Sequence, residues 1–308
     1  MTGGIFLELK IIDAIAQLKN KLAAQSYVCD DRLATVLYLS LTMQRPLFLE
    51  GEAGVGKTEL AKALSLVHET ELIRLQCYEG LGIAEAAYEW NAARQLMEIR
   101  MAEVTGAADK STLERDLYRR DMLIERPLLR SLTRPKPPVL LIDEIDRADE
   151  PFEAYLLEVL SDYQITVPEL GTITTANPPM VIITSNRTRE IRDALKRRCL
   201  YHWVEFPDAR RELEIVRVRA PKASAALSRQ VVEFVQRARQ IDLFKRPGVA
   251  ETIDWVNALT ALNVLSLEPD AVKDTLGVLL KYQEDVAKVM DGDAARILDE
   301  LRAAAIIK

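Results

Sequence analysis

A glycine-rich segment with the residue types and spacing of a phosphate-binding loop lies at positions 51 to 58: Gly51-Glu52-Ala53-Gly54-Val55-Gly56-Lys57-Thr58. Its glycines allow a turn tight enough for several backbone N–H groups to face one phosphate. The N-terminus of the following helix favours the same anion, with Glu59 in its first turn. In the pattern G-x-x-x-x-G-K-[ST], the lysine (Lys57) reaches the β- and γ-phosphates and the hydroxyl of Thr58 ligates Mg²⁺. The segment therefore predicts a nucleoside triphosphate site.

A cluster of carboxylates follows the apolar run Val139-Leu140-Leu141-Ile142. Four apolar residues predict a central strand, and ligands of open α/β sheets bind at the carboxyl ends of such strands. Buried charges there need compensation, which a metal ion supplies. Asp143 is then the carboxylate on the Mg²⁺ side and Glu144 the base that orients a water. A solvated acidic loop is the alternative. We assign Asp146 and Asp149 to helix capping, because Pro151 suits a first helical turn.

Two further polar positions follow apolar or helical segments. Asn186 comes after the buried strand Val181–Thr184 and can hydrogen-bond a water or the γ-phosphate, although for this residue taken by itself a turn asparagine is the favoured interpretation. Arg197 and Arg198 end a helix, where cations complement the helix dipole. Alternatively, one of them is an arginine finger that stabilises charge on the γ-phosphate of a neighbouring subunit. A finger given to a neighbour implies a ring.

The elements around these residues alternate short apolar runs with helices, which predicts a parallel sheet covered on both faces and hence the α/β class. From about residue 210 only helical periodicity remains. We predict an N-terminal helical segment over 1–44 and a core over 45–207. A mostly helical, arginine-rich insert falls at 79–134 within this core. An all-helical domain over 208–308 completes the chain.

The composition of the 308 residues limits the function classes. The net charge is -6, so we expect neither bulk nucleic-acid binding nor binding to an anionic membrane. The arginines of the insert alternate with acids, which favours a solvated face or an interface over a nucleic-acid site. The N-terminus does not have the pattern of a signal peptide. Cys29, Cys77 and Cys199 fit buried thiols of a cytoplasmic protein.

The order of these motifs resembles the AAA+ ATPases, and specifically the MoxR family: a phosphate loop, Ile142-Asp143-Glu144-Ile145-Asp146, a strand followed by Asn186, and Ala194-Leu195-x-x-Arg198. The stretch from Gln164 to Thr174 resembles the hairpin that related ATPases insert before the sensor strand. The runs LQCYEGLGIAEAAYEWN (75–91) and RPGVAETIDW (246–255) are similar to the branch that accompanies carbon monoxide dehydrogenase, the CoxD-type proteins.

The resemblance implies a P-loop core followed by a helical lid, ATP and Mg²⁺ as ligands, and roles for particular residues. It implies that Asn186 is sensor 1 and that Arg198 is the arginine finger, with Arg197 as the second candidate. It also implies that Tyr27-Val28 is a segment that packs on adenine. Many relatives have a Pro-Arg pair whose arginine contacts the γ-phosphate. Here glycine follows Pro247, so Lys245 or Arg246 takes that role with shifted geometry, or the contact is absent.

The resemblance also implies partners. Family members act as homo-oligomeric rings, here expected to be hexameric, that serve as chaperones together with a von Willebrand factor A domain protein. The CoxD-type branch implies a client metalloenzyme, namely a molybdenum hydroxylase whose metal-sulfur site is installed or rearranged. The alternatives are a nucleotide-dependent switch that recruits a partner and, less favoured, a nucleic-acid remodelling ATPase.

Overall fold

A computed structural model describes residues 2–105 and 110–306. Their contacts divide the chain into two compact units. The first, called the sheet unit, comprises Met1–Ile15, Asp31–Glu50 and Ala61–Trp203. The second, called the helical unit, comprises Ala16–Asp30, Gly51–Leu60 and Val204–Lys308. Two short segments from the first sixty residues thus have their main contacts with the C-terminal hundred. The domain limits drawn from the sequence, which follow chain order, stay predictions.

The described residues form several strands, and the two predicted apolar runs at 139–142 and 181–184 lie within the fifth and the eighth of them. The strands are β1 (Leu47–Gly51), β2 (Leu72–Gln76), β3 (Tyr88–Trp90), β4 (Leu123–Glu125), β5 (Val139–Asp143), β6 (Gln164–Val167), β7 (Gly171–Thr174), β8 (Met180–Ser185) and β9 (Leu200–Val204). Five of them form one sheet in the order β2-β5-β8-β1-β9. The pairs β2–β5, β5–β8 and β8–β1 are parallel. The carboxyl ends of these strands therefore meet at one edge of the sheet.

The helices are α1 (Thr2–Ala24), α2 (Asp31–Met43), α3 (Lys57–Val67), α4 (Ile83–Ala86), α5 (Ala92–Thr105), α6 (Lys110–Leu117), α7 (Pro127–Thr133), α8 (Glu150–Asp162), α9 (Asp193–Arg198), α10 (Ala209–Arg219), α11 (Ala225–Ala238), α12 (Val249–Ala261), α13 (Pro269–Leu279), α14 (Gln283–Lys288) and α15 (Ala294–Ile306). The parallel sheet flanked by helices and the helical C-terminal region confirm the predicted α/β class. None of the helices among the described residues is long and apolar enough to span a membrane.

The core of the sheet unit is built by the central strands, whose side chains are apolar on both faces. All five residues of β5 are buried, and Leu140 and Ile142 pack with Phe48 and Ile183 from β1 and β8. Helix α8 adds Phe152 and other apolar residues to the same core. This packing fixes the strands rigidly, so the polar side chains at their carboxyl ends have fixed positions.

The insert is mostly helical, as predicted, but it also contains a two-stranded ribbon. Residues 79–134 contain helices, but β3 and β4 form a two-stranded antiparallel ribbon in which Tyr88 pairs with Glu125 and Trp90 with Leu123. The N–H of Asn91 also donates to the carbonyl of Met122 at 2.9 Å. These strands have three residues each, too short for a period-2 pattern to be recognised. The prediction of a mostly helical insert is confirmed by α4, α5, α6 and α7, and the ribbon is an addition that the sequence did not predict.

The helical unit has a core of its own. Trp255 of α12 is fully buried against Phe234 of α11, with 5.2 Å between the ring centroids in an edge-to-face arrangement. The Trp255 indole N–H donates to Thr275 of α13 at 2.7 Å, so its polar atom is satisfied. A buried ion pair also ties the helices, because Arg239 at the end of α11 contacts both carboxylate oxygens of Glu212 in α10 at 2.7 Å.

Candidate functional site

The glycine-rich segment forms a compact loop between β1 and α3 in the helical unit. Gly54 and Gly56 have φ angles of 76° and 94°, a region that side chains disfavour, which explains why glycine occupies both positions. Helix α3 begins at Lys57, directly after the loop. The N-terminus of a helix carries the positive end of the helix dipole, which favours an anion. The local conformation therefore fits phosphate binding.

Lys57 is folded onto the loop. Its side chain is 6% exposed, and its Nζ donates to the carbonyl oxygens of Gly51 at 2.6 Å and Glu52 at 2.7 Å. The ammonium group is thus held close to the backbone that would surround a phosphate. A cation fixed at this point adds a full positive charge to the partial charges of the N–H groups.

Tyr27 and Val28 lie beside the loop within the same unit. The Tyr27 ring is 4.0 Å from the point where a side chain on Gly56 would begin. Burial raises the pKa of the Tyr27 phenol, so this ring is neutral at physiological pH. Arg211 of α10 holds the segment, because it donates to the Val28 carbonyl at 3.4 Å and pairs with Asp30 at 2.5 Å. An aromatic ring next to the phosphate loop suits a nucleotide base, and this assignment stays a prediction.

The predicted sensor-2 region leads into α12. The side chains of Lys245 and Arg246 are exposed, whereas Pro247 and Gly248 are buried. The backbone N–H of Lys245 donates to Asp285 at 3.1 Å, which fixes this turn within the helical unit. Gly248 packs directly against Gly54 of the phosphate loop. Because Gly248 has no side chain, its backbone can lie in direct contact with the phosphate loop.

Asp143 ends β5 in the sheet unit and is 3% exposed. Its two carboxylate oxygens have different partners. Oδ1 accepts the hydroxyl of Thr184 at 2.5 Å, and Oδ2 accepts Nε and Nη2 of Arg74 at 3.0 and 2.6 Å. The carboxylate is therefore compensated by a guanidinium in this structure. A buried charge at this position requires such a partner or a cation.

Glu144 follows in a left-handed conformation, with φ 55° and ψ 53°. Such a conformation costs about 1 kcal/mol or more for a residue with a side chain and persists only when the surroundings impose it. Here the Thr184 hydroxyl accepts from the Glu144 N–H at 3.0 Å. Gln76 Nε2 and Asn186 Nδ2 donate to the two carboxylate oxygens at 3.1 and 3.2 Å. The structure thus brings the predicted base and the predicted sensor together.

Asp146 does not cap a helix, which corrects the prediction from the sequence. Its carboxylate accepts the N–H groups of Asn186 at 3.1 Å and Thr188 at 2.9 Å, and the Thr188 hydroxyl at 2.7 Å. Burial raises the pKa of Asp146, but these hydrogen bonds outweigh it and hold the pKa below its usual range. Asp149 occupies the N-cap position of α8, yet its side chain makes no capping hydrogen bond. Asp146 instead fixes the backbone of Asn186.

Arg197 and Arg198 end α9, both with exposed side chains. Nε of Arg198 donates to the hydroxyl of Ser161 at 2.6 Å. Among residues 2–105 and 110–306, the guanidinium of Arg197 has no hydrogen-bond partner. The Arg45 guanidinium fixes the end of the helix by donating to the carbonyls of Arg197 at 2.7 Å and Arg198 at 3.2 Å. Two exposed cations on a fixed helix end can face another molecule, and their roles stay predictions.

Sequence comparison identifies the core of the chain. The AAA domain (dynein-related subfamily) matches residues 46–199, which is half of the chain and includes the loop, the acidic strand end, Asn186 and both arginines. The chain belongs to this AAA domain family. An AAA domain indicates a nucleotide-hydrolysing ATPase, and the family generally uses ATP and Mg²⁺. A search of curated proteins gives no match.

Solved structures similar to this AAA protein include the RuvB Holliday junction branch migration motor of Thermotoga maritima. It is 17% identical with a TM-score of 0.46, over 80% of this chain and 67% of that one. A proline-to-glycine mutant of the same motor is 18% identical with a TM-score of 0.47, over 86% and 70%. A candidate ATPase from Cytophaga hutchinsonii is 15% identical with a TM-score of 0.45, over 98% and 97%.

Sequence reasoning missed several residues of this AAA domain that contact the acidic strand end. Arg74 and Gln76 both lie on β2, two positions apart and hence on one face of the strand. Their alternation with Ile73 and Leu75 indicates a strand with one polar face, but nothing in the sequence places that strand beside β5. Glu50 at the end of β1 is 3% exposed and accepts the hydroxyl of Tyr201 at 2.9 Å. No motif pointed to that pair.

The residues of this AAA domain fit Mg²⁺ bound together with a triphosphate. Within the described residues no group of three or more His, Cys, Asp or Glu side chains could hold a metal by itself. Mg²⁺ in phosphate sites typically takes one or two protein oxygens and completes its shell with phosphate and water. Asp143 of the sheet unit offers a carboxylate oxygen of this kind, and its pairing with Arg74 shows that it accepts a cationic partner. Thr58 of the helical unit offers a hydroxyl oxygen, and its role with Mg²⁺ stays a prediction.

Proposed function

We propose that this AAA protein hydrolyses ATP, with Glu144 as the base that activates water. The observation that carries the proposal is the conformation of Glu144, which is held in the left-handed region with one carboxylate oxygen bound by Gln76 and the other by Asn186. Strain and precise side-chain positioning at a strand end are typical of catalytic residues rather than of solvated acidic loops.

Different residues of the chain bind the phosphates, bind the metal ion and activate water in the proposed reaction. The loop from Gly51 to Gly56 and the N-terminus of α3 bind the phosphates, while Lys57 offsets their charge. Thr58 and Asp143 hold Mg²⁺, which supplies charge neutralisation on the phosphate oxygens. Glu144 orients a water and accepts its proton, and Asn186 fixes the carboxylate of Glu144. Tyr27 and Val28 contact the adenine of the nucleotide.

Phosphate release by the purified chain tests this proposal. We expect Mg²⁺-dependent turnover that falls by about 10²-fold or more in Glu144→Gln, since general base catalysis contributes about 10²–10⁴-fold. Glu158→Gln, at an exposed position of α8, is the matched control and should retain turnover. Lys57→Ala should lose nucleotide binding. Unchanged turnover in Glu144→Gln would show that the site is assigned wrongly, whereas binding without hydrolysis in the wild type would favour the nucleotide-dependent switch.

We further propose that the ATPase works as a homo-oligomeric ring, with a hexamer as the expected form, in which an arginine of α9 completes a neighbour's site. The support is the pair of exposed guanidinium groups on a helix end that Arg45 fixes to the core. Turnover per chain should then rise with protein concentration, because each site needs a second copy.

We propose a client metalloenzyme as the object of this work, with maturation of the metal-sulfur site of a molybdenum hydroxylase as the specific case and a von Willebrand factor A protein as co-partner. The support is the resemblance of the runs at 75–91 and 246–255 to the CoxD-type branch. Capture of partners by the purified chain under ATP and under ADP tests it. Nucleotide-dependent capture of a hydroxylase subunit would support the proposal, and its absence would contradict it.

Nucleic-acid remodelling is less favoured, because most of the described arginines of the insert have acidic partners. Arg94 pairs with Asp121, Arg120 with Glu125, and Arg126 with Glu89, at 2.6–2.8 Å. Guanidinium groups neutralised within the chain offer little net charge to a phosphate backbone.

A further inference from the structure

The tip of the phosphate loop is bound by the first turn of α12, within the helical unit. The N–H groups of Val249 and Ala250 both donate to the carbonyl oxygen of Gly54, at 2.9 and 3.2 Å. The first N–H groups of a helix have no intrahelical partner and usually meet a cap, water or a ligand. Here they meet a peptide carbonyl of the loop itself.

Two glycines make this contact possible. A Cβ atom on Gly248 would lie 2.8 Å from the Ala53 carbonyl oxygen and 2.9 Å from Gly54 Cα. A Cβ atom on Gly54 would in turn lie 3.2 Å from Gly248 Cα. The two backbones are thus in direct contact, with no room for a methyl group. The Glu251 carboxylate closes the junction, because it accepts the Gly248 N–H at 3.0 Å in a capping arrangement.

The junction is anchored to three helices by buried groups. The Pro247 carbonyl accepts Nε of Arg239 at 2.8 Å, and Arg239 pairs with Glu212. Thr252 of α12 donates to the same Glu212 at 2.8 Å. All three side chains are at most 8% exposed. Since α10, α11 and α12 meet in this network, the loop carbonyl is bound by a rigid body rather than by a mobile turn.

We propose that Gly248 and the first turn of α12 position the phosphate loop for nucleotide, so that the helices act on the nucleotide through the Gly54 carbonyl rather than through a cation on the γ-phosphate. The inference rests on the proposed nucleotide binding. A contact with the loop backbone affects every ligand of the loop, so it sets the affinities for nucleoside diphosphate and triphosphate alike. A cation on the γ-phosphate would affect the triphosphate alone.

The test is a titration with fluorescent N-methylanthraniloyl ADP and with a non-hydrolysable ATP analogue carrying the same fluorophore. Gly248→Ala forces the loop to shift. Overpacking costs about 1–3 kcal/mol, so both affinities should fall by the same factor of about 5 to 140. In phosphate release KM should rise while kcat changes little. Gly277→Ala on α13, where a Cβ atom meets nothing within 4 Å, is the matched control and should bind both ligands normally.

Glu251→Ala is a second variant that adds no atoms, in case Gly248→Ala does not fold. It removes the hydrogen bond to the Gly248 N–H and should weaken both ligands equally. Wild-type affinities in both variants, or a loss confined to the ATP analogue, would overturn the inference. Lys57→Ala separates this failure from failure of the proposed function. If Lys57→Ala binds both ligands like the wild type, nucleotide binding at the loop is itself wrong.

Discussion

The side-chain amide of Asn186 donates a hydrogen bond to the carboxylate of Glu144, with 3.2 Å between Nδ2 and Oε1. The two residues follow β8 and β5, which are neighbouring parallel strands, so the sheet itself brings them together. Because Glu144 is also held by Gln76, its carboxylate has little freedom to turn away.

Replacing Asn186 should therefore affect the chemical step more than nucleotide binding. In Asn186→Ala, kcat for phosphate release should fall by about 10²-fold, since a misplaced catalytic group costs about that much. Asn186→Asp places a like charge beside Glu144 and should be at least as damaging. Affinity for N-methylanthraniloyl ADP should stay at the wild-type value in both variants. A loss of ADP affinity equal to the loss of kcat would instead assign Asn186 to ligand binding.

Arg74 compensates the buried carboxylate of Asp143, and its removal should lower stability. The guanidinium is about half exposed, so solvent screening reduces its contribution. We expect Arg74→Gln to lower the free energy of unfolding by about 1–2 kcal/mol, at the low end for a hydrogen bond to a charged group. Urea unfolding measures this. Arg100→Gln, at an exposed position of α5, is the control and should be neutral. Equal stability of both variants would show that Asp143 is compensated by other means.

The ring proposal predicts restoration of activity on mixing two inactive variants. Glu144→Gln removes the base and Arg198→Ala removes the finger, so each alone should be inactive. In an equal mixture about a quarter of the sites combine an intact Glu144 with an intact neighbouring Arg198, and about a quarter of the wild-type rate should return. Arg197→Ala should remain active by itself. If Arg197→Ala is inactive and is restored by mixing instead, the finger is Arg197, and no restoration by either arginine contradicts the shared site.

The contribution of Asp146 to the free energy of unfolding should depend on pH. Its folded pKa lies below the value of about 3.9 that an unfolded aspartate has, so the contribution is complete above that pH and is lost as pH falls through the folded pKa. Asp146→Asn should be less stable than the wild type at pH 7, by about 1–3 kcal/mol. This difference should shrink at lower pH. Urea unfolding of both proteins between about pH 7 and pH 2.5 measures it, and a difference independent of pH would contradict the assignment.

Because the cysteine thiols are buried, we expect them to react slowly with thiol reagents. We also expect the free energy of unfolding to fall at alkaline pH. Burial raises the pKa of Cys77 to about 12, with added repulsion from Asp143 and its acidic neighbours, and burial raises the pKa of Cys199 to about 12. An unfolded thiol loses its proton near pH 8.5, so between about pH 8.5 and 12 the folded state binds more protons and stability falls as pH rises. Ellman's reagent at about pH 8 should react slowly in buffer and fully in guanidinium. Rapid reaction of the native protein would show that the thiols are accessible.

The parts predicted from the sequence are those encoded within one short segment. The phosphate loop needs only Gly51 to Thr58 in order, and β5 is recognisable because a fully buried strand is continuously apolar. The prediction of buried thiols is confirmed, since all three cysteines are buried. It needed only the general tendency of free cysteine to behave as a small apolar residue.

The contacts that were missed join residues far apart in the chain. Arg74 meets Asp143 only because β2 and β5 are neighbours in the sheet, and that order is not encoded in either strand. Asp146 was assigned to capping because a proline and a helix follow nearby, whereas its hydrogen-bond partners lie after β8. The packing of Gly248 on Gly54 likewise depends on where the helices fold back, which local periodicity does not reveal.

The ribbon of β3 and β4 lies inside the insert and brings Asn91 and Met122 within one hydrogen bond of each other. The chain between them leaves and returns at the same place. The length of this segment can therefore change without a change in the sheet, because loop-closure entropy varies only slowly with the number of residues in the segment. Evolution can add or trim residues here without moving β2 or β5, and an experimenter can splice an epitope or a fluorescent reporter between the same two positions.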